Sequence, residues 1–463
     1  MRLKLSPASA VYGLAFSAGC AWTGYLFLNS PGTLVQDEIG HFLISRNAWH
    51  YPELMLDVWG RPVNTVLYML PSIWGINAAR AFSTLLAALT VLLTTKVAQR
   101  SGAQLLFLVP VFLWFQPWFN ALSYTVITEV PFSLLLVLAV YLWLTGREAA
   151  GAVTIGLLPL VRHEGIVLVL AWCLYALYKR DWKAILISIS PFILYNLVYY
   201  MAFQRWAASI FLNPRPTAIY GSGSWLHFVQ PVINNVGRPL VGLSLLGLIP
   251  VLRLKEKILG FALYALYFLT HVIIYRFGLY GSGGYDLFLL PLAPLFAVTA
   301  TLGAEFALNL LSHTATRLAV PPVLHQVLPV LVIVVSVIWV GYLGLQTRPR
   351  ALDQEAAALQ QAANWLRVNG LSGNTVVATH VWFFYFYDLP LIPGQGWAKP
   401  PPPDQLDPGT IVVWDRHYSD RWGLAYNKLA DPSAGWRVLN QFGDGFVVIF
   451  QKAQEQVIHG EEP

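Results

Sequence analysis

Long apolar segments separated by short polar loops dominate the first three quarters of the chain. A helix that crosses a membrane needs about 20 apolar residues, so the shorter segments must extend into their loops or belong to broken helices packed within protein. The pattern therefore predicts a polytopic α-helical membrane protein with about 11 transmembrane helices. The apolar segments are 8–28, 79–97, 105–118, 130–144, 152–160, 166–178, 184–203, 239–252, 258–275, 287–310 and 324–345.

The pattern changes after residue 345. Residues 353–368 show the spacing of an amphipathic helix, and four later segments are typical of strands. We therefore predict a transmembrane domain at 1–345, with an external loop at 30–75, followed by a small α/β domain at 346–463. The predicted strands are 375–378, 410–414, 436–439 and 445–451.

Composition supports the membrane assignment. Hydrophobic residues make up 56% of the 463 residues and charged residues only 11%, which excludes an ordinary soluble protein of this length. Cys20 and Cys173 both fall in apolar segments, so they predict no disulfide framework. The pI is near 9.1, but the basic residues are spread over short loops, and we predict no nucleic-acid binding.

Alternate loops differ in the type of basic residue that they contain, because lysines occur in one set of loops and only arginines in the other. If the N-terminus is cytoplasmic, all six lysines before residue 346 fall in inner loops, as the positive-inside rule expects. This predicts a multi-pass membrane protein with an extracytoplasmic C-terminal domain. The outer arginines either bind phosphate through their rigid guanidinium forks or reflect only the inside preference of lysine. The eight outer arginines are Arg46, Arg61, Arg80, Arg162, Arg205, Arg215, Arg238 and Arg276.

An acidic pair, Asp37 and Glu38, follows the first apolar segment directly. One interpretation is a solvated loop that ends a helix. The other is that Asp37 acts as a general base at the membrane surface, where solvation is restricted. His41 lies four residues after Asp37 and would pair with it on one helical turn.

Three further polar clusters fall on the same predicted side. Glu129 is either a favourable carboxylate at a helix N-terminus or a second functional acid. Arg162-His163-Glu164 interrupts an otherwise apolar stretch, either as a turn whose charges neutralise each other or as a binding site. Tyr285-Asp286 precedes the segment at 287–310.

The order of these features resembles the GT-C superfamily of integral-membrane glycosyltransferases that use polyprenyl-phosphate sugars, such as protein O-mannosyltransferases and the aminoarabinose transferases of lipid A. His163 stands where the family motif has proline, and Asp286 stands where a basic residue is expected. The segments that carry the resemblance are Asp37-Glu38, Gly60-Arg61-Pro62, 79–83, 128–131, 160–165 and 285–294.

The resemblance implies a GT-C-like hexosyl- or pentosyltransferase in a cell (inner) membrane. The sugar would pass from a polyprenyl-phosphate donor to a hydroxyl of a lipid, glycan or protein acceptor at the outer face. Asp37 would be the general base of an inverting reaction, with Glu38 and Glu129 orienting acceptor or sugar hydroxyls. The expected substrate-binding residues are Arg162, Glu164, His163, Arg61, Arg46, His41 and Tyr285.

No obligatory cofactor or metal is predicted. Asp37, Glu38 and His41 are a weak potential ligand set for a divalent cation, and no glycine-rich nucleotide-sugar fingerprint is present, which favours a lipid-linked donor. The main alternative is a transporter or lipid flippase that contacts membrane lipids. A second is a lipid-oligosaccharide polymerase or ligase, in which a large outer loop would come late in the chain.

Overall fold

The structure is a computed structural model that describes residues 7–212, 220–253, 258–281, 283–317, 322–393 and 400–453. It divides into two compact units. The helical unit comprises Met1–Asn29 and Met55–Pro349, and the sheet unit comprises Ser30–Leu54 and Arg350–Pro463. Four basic residues used in the charge argument lie outside the described residues: Lys4, Arg215, Lys255 and Lys257.

The elements are numbered here in chain order. The α-helices are α1 (Pro7–Leu28), α2 (Asp37–Asn47), α3 (Pro62–Ile73), α4 (Ile76–Arg100), α5 (Leu108–Trp114), α6 (Pro117–Leu122), α7 (Glu129–Leu144), α8 (Glu148–Val161), α9 (Gly165–Tyr178), α10 (Trp182–Phe203), α11 (Val229–Val236), α12 (Arg238–Leu252), α13 (Ile258–Arg276), α14 (Ala293–Arg317), α15 (Pro322–Leu345), α16 (Gln354–Val368), α17 (Val381–Tyr387) and α18 (Tyr426–Leu429). The strands are β1 (Val376–Ala378), β2 (Ile411–Asp415), β3 (Trp436–Phe442) and β4 (Val447–Lys452).

The helical unit has the helices of a membrane protein. Over the described ranges, five helical segments are long and apolar enough to span a membrane, and α11 with α12 passes the same test as one span bent by 106°. Shorter apolar helices add to these, namely α7, α8, α9 and Val330–Leu345. The polytopic helical class is confirmed, while the count of about 11 spans stays a prediction. The five segments are Ala8–Leu28, Ile76–Arg100, Trp182–Phe203, Ile258–Arg276 and Asp286–Leu311.

The predicted segment at 105–118 is broken into α5 and α6. Pro117 opens α6 and cannot continue the helix before it, because proline lacks the amide hydrogen. The side-chain amide of Gln116 donates to the carbonyls of Phe112, at 2.8 Å, and Ala293, at 3.0 Å. The buried Gln116 side chain thus satisfies a carbonyl near the break and links the break to the start of α14.

Helices α12 and α14 approach each other at two glycines. A Cβ atom on Gly247 would lie 1.9 Å from the carbonyl oxygen of Thr299, and one on Gly303 would lie 1.8 Å from that of Leu243. Only glycine permits this backbone contact, which is a common way for membrane helices to pack. The contact fixes α14, and with it the 3₁₀ helix Asp286–Leu292 that precedes α14.

The sheet unit is built on four strands in the order β1-β2-β4-β3. Strands β1 and β2 are parallel, with Val376 opposite Ile411, and the other pairs are antiparallel. Each strand overlaps a segment predicted as a strand, and α16 coincides with the predicted amphipathic helix.

The segment Ser30–Leu54 packs with the C-terminal part of the chain. The amide of Gly32 donates to the carbonyl of Arg350 at 2.9 Å, and the amide of Arg350 donates to Ser30 Oγ at 2.9 Å. The rings of Phe42 and Tyr385 meet edge to face at 5.9 Å. Helix α2, which carries the acidic pair, is thus part of the sheet unit.

Candidate active site

A buried ion cluster in the helical unit joins the start of α7 to the turn between α8 and α9. The guanidinium of Arg162 donates to the Glu129 carboxylate, to Thr128 Oγ1 at 3.0 Å and to Glu164 Oε1 at 3.0 Å. The side chains of Arg162, Glu129 and Glu164 are 6%, 3% and 15% exposed. Charges this deeply buried must be paired, so Arg162 and the two carboxylates hold one another in place.

The turn that presents Arg162 depends on a glycine. Arg162 has an extended backbone directly after α8, and α9 begins at Gly165. A Cβ atom on Gly165 would lie 2.5 Å from the carbonyl carbon of Leu158. The chain therefore reverses tightly enough for Arg162 and Glu164, two residues apart, to face each other.

The predicted motif Gly60-Arg61-Pro62 contacts the turn that carries Arg162. Arg61 has a φ of 64° directly before Pro62, a conformation that costs a non-glycine residue on the order of 1–3 kcal/mol. Its guanidinium donates to the carbonyl of Val58 and lies 3.3 Å from Nε2 of His163. The helical unit thus brings together five predicted site residues: Arg61, Glu129, Arg162, His163 and Glu164.

His271 of α13 belongs to the same cluster but was missed in the sequence. Its ring stacks on Phe288 at 5.7 Å, and the Arg162 guanidinium lies 4.5 Å over that same phenyl ring. His271 also interacts electrostatically with Glu164. The signal in the sequence was a lone histidine inside the apolar segment 258–275.

Several buried polar atoms of this cluster have no hydrogen-bond partner in the part of the chain that the structure describes. They are Arg162 Nε, Glu164 Oε2 and both ring nitrogens of His271. Buried polar atoms in native proteins are nearly always paired, with protein, water or ligand. These atoms therefore indicate where a polar ligand or water would bind.

The predicted residues Tyr285 and Asp286 lie beside the cluster. Tyr285 is 54% exposed and its ring is 5.9 Å from that of Phe288. Asp286 Oδ2 accepts from Trp118 Nε1 at 3.1 Å and from Asn235 Nδ2 at 3.2 Å. Asp286 is thus held by neutral donors, whereas Tyr285 keeps an accessible aromatic face.

The acidic helix α2 lies in the sheet unit. Asp37 is the first residue of α2 and is exposed, whereas Glu38 is 0% exposed and His41 is 7% exposed. A helix N-terminus stabilises carboxylates at these positions. Arg46 pairs with Asp388 at 2.7 Å. Of the four residues predicted on this helix, only Asp37 is exposed.

One group of side chains has the spacing of metal ligands over the described ranges. The ligand atoms of Glu355, His380 and His417 lie within 4.8 Å of one another, and the predicted set on α2 does not form such a group. Glu355 Oε1 accepts from His380 Nε2 and, at 2.8 Å, from His417 Nδ1. Burial raises the pKa of Glu355, but these hydrogen bonds outweigh it and hold that pKa at about 2.

The apolar helices of the helical unit are those of a polytopic membrane protein. The fold of the chain is similar to that of ArnT from Cupriavidus metallidurans, an aminoarabinose transferase of the GT-C class. The crystal structure of ArnT bound to undecaprenyl phosphate matches with a TM-score of 0.62 and 12% identity, covering 95% of this chain and 97% of that chain.

The apo crystal structure of ArnT matches with a TM-score of 0.63 and 12% identity, covering 96% of this chain and 98% of that chain. No protein-family model and no curated protein matches the sequence. The predicted resemblance is therefore confirmed at the level of the fold. At this identity the likeness carries architecture and assigns no role to any residue.

Proposed function

We propose that the protein is a membrane glycosyltransferase that moves a sugar from a polyprenyl-phosphate donor to an acceptor hydroxyl. The observation that carries this proposal is the likeness to ArnT, which extends over 95% of this chain and 97% of ArnT. That ArnT crystal structure contains undecaprenyl phosphate. Because the likeness covers nearly the full length of both chains, it is more than a similarity of apolar helices.

The chemistry of such a donor sets what the protein must provide. Phosphate is a good leaving group, so the reaction needs a base for the acceptor and groups that bind the departing phosphate. In the proposed step, the acceptor oxygen bonds to the anomeric carbon while its proton passes to Asp37. The bond from that carbon to the phosphate oxygen breaks, and its electron pair leaves with polyprenyl phosphate. In-line attack gives inversion.

Burial refines the roles of the neighbouring residues. Glu38 and His41 are buried whereas Asp37 is exposed, so of these α2 residues we place Asp37 at the acceptor hydroxyl. Arg46 is engaged by Asp388, which makes it a weaker candidate for binding phosphate. Asp37 is left as the base because it alone combines exposure with the first turn of α2.

For the lipid phosphate we propose Arg162, through its unpartnered Nε atom, with His271 beside it. Glu129 and Glu164 fix the guanidinium. Because there are two carboxylates and only one Arg162, an anion there needs a second cation. We propose Arg61, which contacts His163 and interacts electrostatically with Glu164. Tyr285 offers an exposed ring against which a sugar would pack.

The test is sugar transfer by the purified protein from radiolabelled polyprenyl-phosphate sugars to membrane extracts. Asp37→Asn removes the proposed base, and we expect a fall on the order of a hundredfold or more in kcat with donor binding retained. Glu53→Gln is the matched control, because Glu53 is an exposed acid on the same segment. Full activity in Asp37→Asn would transfer the base assignment to Glu129.

A transporter or flippase remains the second candidate because α11 and α12 form a bent pair, and broken helices commonly line transport sites. The two functions separate in one preparation. Absence of transfer with every donor, together with movement of the donor lipid across vesicles that contain the protein, would replace the proposed function.

A further inference from the structure

Tyr418 of the sheet unit is held more rigidly than a surface tyrosine needs to be. Its ring lies parallel to that of His417, with centroids 3.9 Å apart and an interplanar angle of 8°. His380 meets the same ring edge-on at 5.1 Å. The backbone amide of Tyr418 donates to Asp415 Oδ1 at 2.7 Å. The ring is thus in contact with two histidine rings, and the backbone of Tyr418 is held by Asp415.

The support beneath Tyr418 is a fully satisfied polar network. Asp415 ends β2 and is 0% exposed, and it accepts from Thr379 Oγ1 at 2.6 Å, from Ser419 Oγ at 2.9 Å and from the amide of His417 at 3.0 Å. Glu355 Oε1 accepts from Nδ1 of His417, the ring that stacks on Tyr418, at 2.8 Å. Networks in which each member is paired are rigid and specify one arrangement.

The free end of Tyr418 points to the acidic helix. Its hydroxyl donates to Gln36 Oε1 at 3.0 Å, and Gln36 is the N-cap residue that directly precedes Asp37. The pKa of Tyr418 is raised, first by burial and then by the charge of Asp37, so the hydroxyl keeps its proton and remains a donor.

We propose that Tyr418 is a positioning residue that fixes the start of α2, and thereby the Asp37 carboxylate, through its hydrogen bond to Gln36. The function of this anchor rests on the proposed role of Asp37 as base. Glu355, His380 and His417 serve as its support. A base needs fixed geometry as well as the right protonation state, so loosening the anchor lowers the rate of the chemical step.

Ligation of a metal by Glu355, His380 and His417 is the competing explanation of this cluster, and one hydrogen bond argues against it. The amide of Trp382 donates to His380 Nδ1 at 3.2 Å, so His380 carries its proton on Nε2 and donates it to Glu355. A metal on Nε2 would force that proton onto Nδ1, where it would oppose the Trp382 amide. The geometry therefore favours a hydrogen-bonded support.

The experiment compares Tyr418→Phe, Gln36→Ala and the double variant, with Tyr426→Phe as a control that loses a tyrosine hydroxyl elsewhere in the sheet unit. We expect each single variant to lower kcat by about three- to tenfold, the range for one lost hydrogen bond, with the KM for the donor little changed. The double variant should be no worse than the poorer single one, because both changes remove the same contact. Additive losses, or full activity in Tyr418→Phe, would overturn the anchor.

Hydrogen exchange of the backbone at residues 36–47 gives a readout that needs no turnover. Tyr418→Phe and Gln36→Ala should both speed exchange at the start of α2, and Tyr426→Phe should not. Unchanged exchange in Gln36→Ala overturns the proposal even if Tyr418→Phe fails to fold. If the unaltered protein transfers no sugar, the proposed function fails while this measurement still tests the anchor.

Zinc titration of the purified protein decides between the two explanations of the cluster. Binding of one equivalent of Zn²⁺ that is lost in Glu355→Gln would overturn the hydrogen-bonded support. If the unaltered protein binds Zn²⁺ no more strongly than Glu355→Gln does, the result supports the hydrogen-bonded arrangement.

Discussion

The two units each contain a charged group held between two partners, and their surroundings make these clusters behave differently. In the helical unit, Arg162 lies between Glu129 and Glu164, and its side chain is 6% exposed. In the sheet unit, Glu355 lies between His380 and His417, and the His417 side chain is 43% exposed. Pairing is obligatory where water is excluded, whereas a partly hydrated pair contributes little and responds to pH. The comparison shows that burial, more than pairing, determines how much each charged residue contributes to the stability of the fold.

The largest effect is expected from Arg162→Met. This change removes the cation that pairs with two buried carboxylates, which should destabilise the fold by about 3–5 kcal/mol. Thermal unfolding of the detergent-solubilised protein measures it, with Arg253→Met, an exposed arginine, as the control. Equal unfolding temperatures for the two variants would show that the Arg162 cluster is hydrated and would remove the contrast between the units.

A smaller loss is expected from Glu129→Gln. Arg162 keeps Glu164 as its counter-ion, and the glutamine oxygen still accepts a hydrogen bond, so the cost should be about 1–3 kcal/mol. The same unfolding assay applies, and Glu129→Gln must be milder than Arg162→Met. The reverse order would mean that Glu129 and not Arg162 organises the cluster.

The smallest effect concerns His417, whose hydrogen bond to Glu355 raises its pKa, with Asp415 adding to the rise and burial and Arg421 opposing it. Because the pKa of His417 is higher in the folded than in the unfolded state, its ionisation contributes stability at pH values below the unfolded-state pKa of about 6.5. This contribution is lost as the pH rises through the folded-state pKa. Glu355, with a pKa of about 2, keeps its own contribution above its unfolded value of about 4.3 and loses it only as pH falls toward 2.

Compared with His417→Gln, the unaltered protein should therefore be more stable near pH 5.5 and lose this advantage by about pH 8.5. The difference should stay below about 1 kcal/mol because His417 is well exposed. Unfolding temperatures of both proteins at the two pH values measure it. A difference that is the same at both values would show that His417 acts only by packing on Tyr418.

Much of the architecture was predictable from local patterns. The apolar segments indicated the helical class, and the four strands and α16 lie where their periodicity placed them. Glu129 and Arg162 were each singled out as candidate site residues, but their ion pair was not predicted. The features that were predicted depend on residues close in sequence.

What could not be predicted depends on contacts between distant parts of the chain. The packing of Ser30–Leu54 with residues 350–463 joins segments about three hundred residues apart, and no local pattern signals it. His271 was a single histidine in an apolar segment, and Tyr418 belongs to no motif. The role of each depends on contacts with residues that are distant in the sequence and come together only in the folded chain.

The central claim, that Asp37 is the base of a lipid-linked sugar transfer, is tested most directly by comparing Asp37→Asn with Glu53→Gln in the transfer assay. We expect Asp37→Asn to lower kcat by about a hundredfold or more while it still binds the polyprenyl-phosphate sugar, and Glu53→Gln to match the unaltered protein. Equal transfer by both variants would contradict the account.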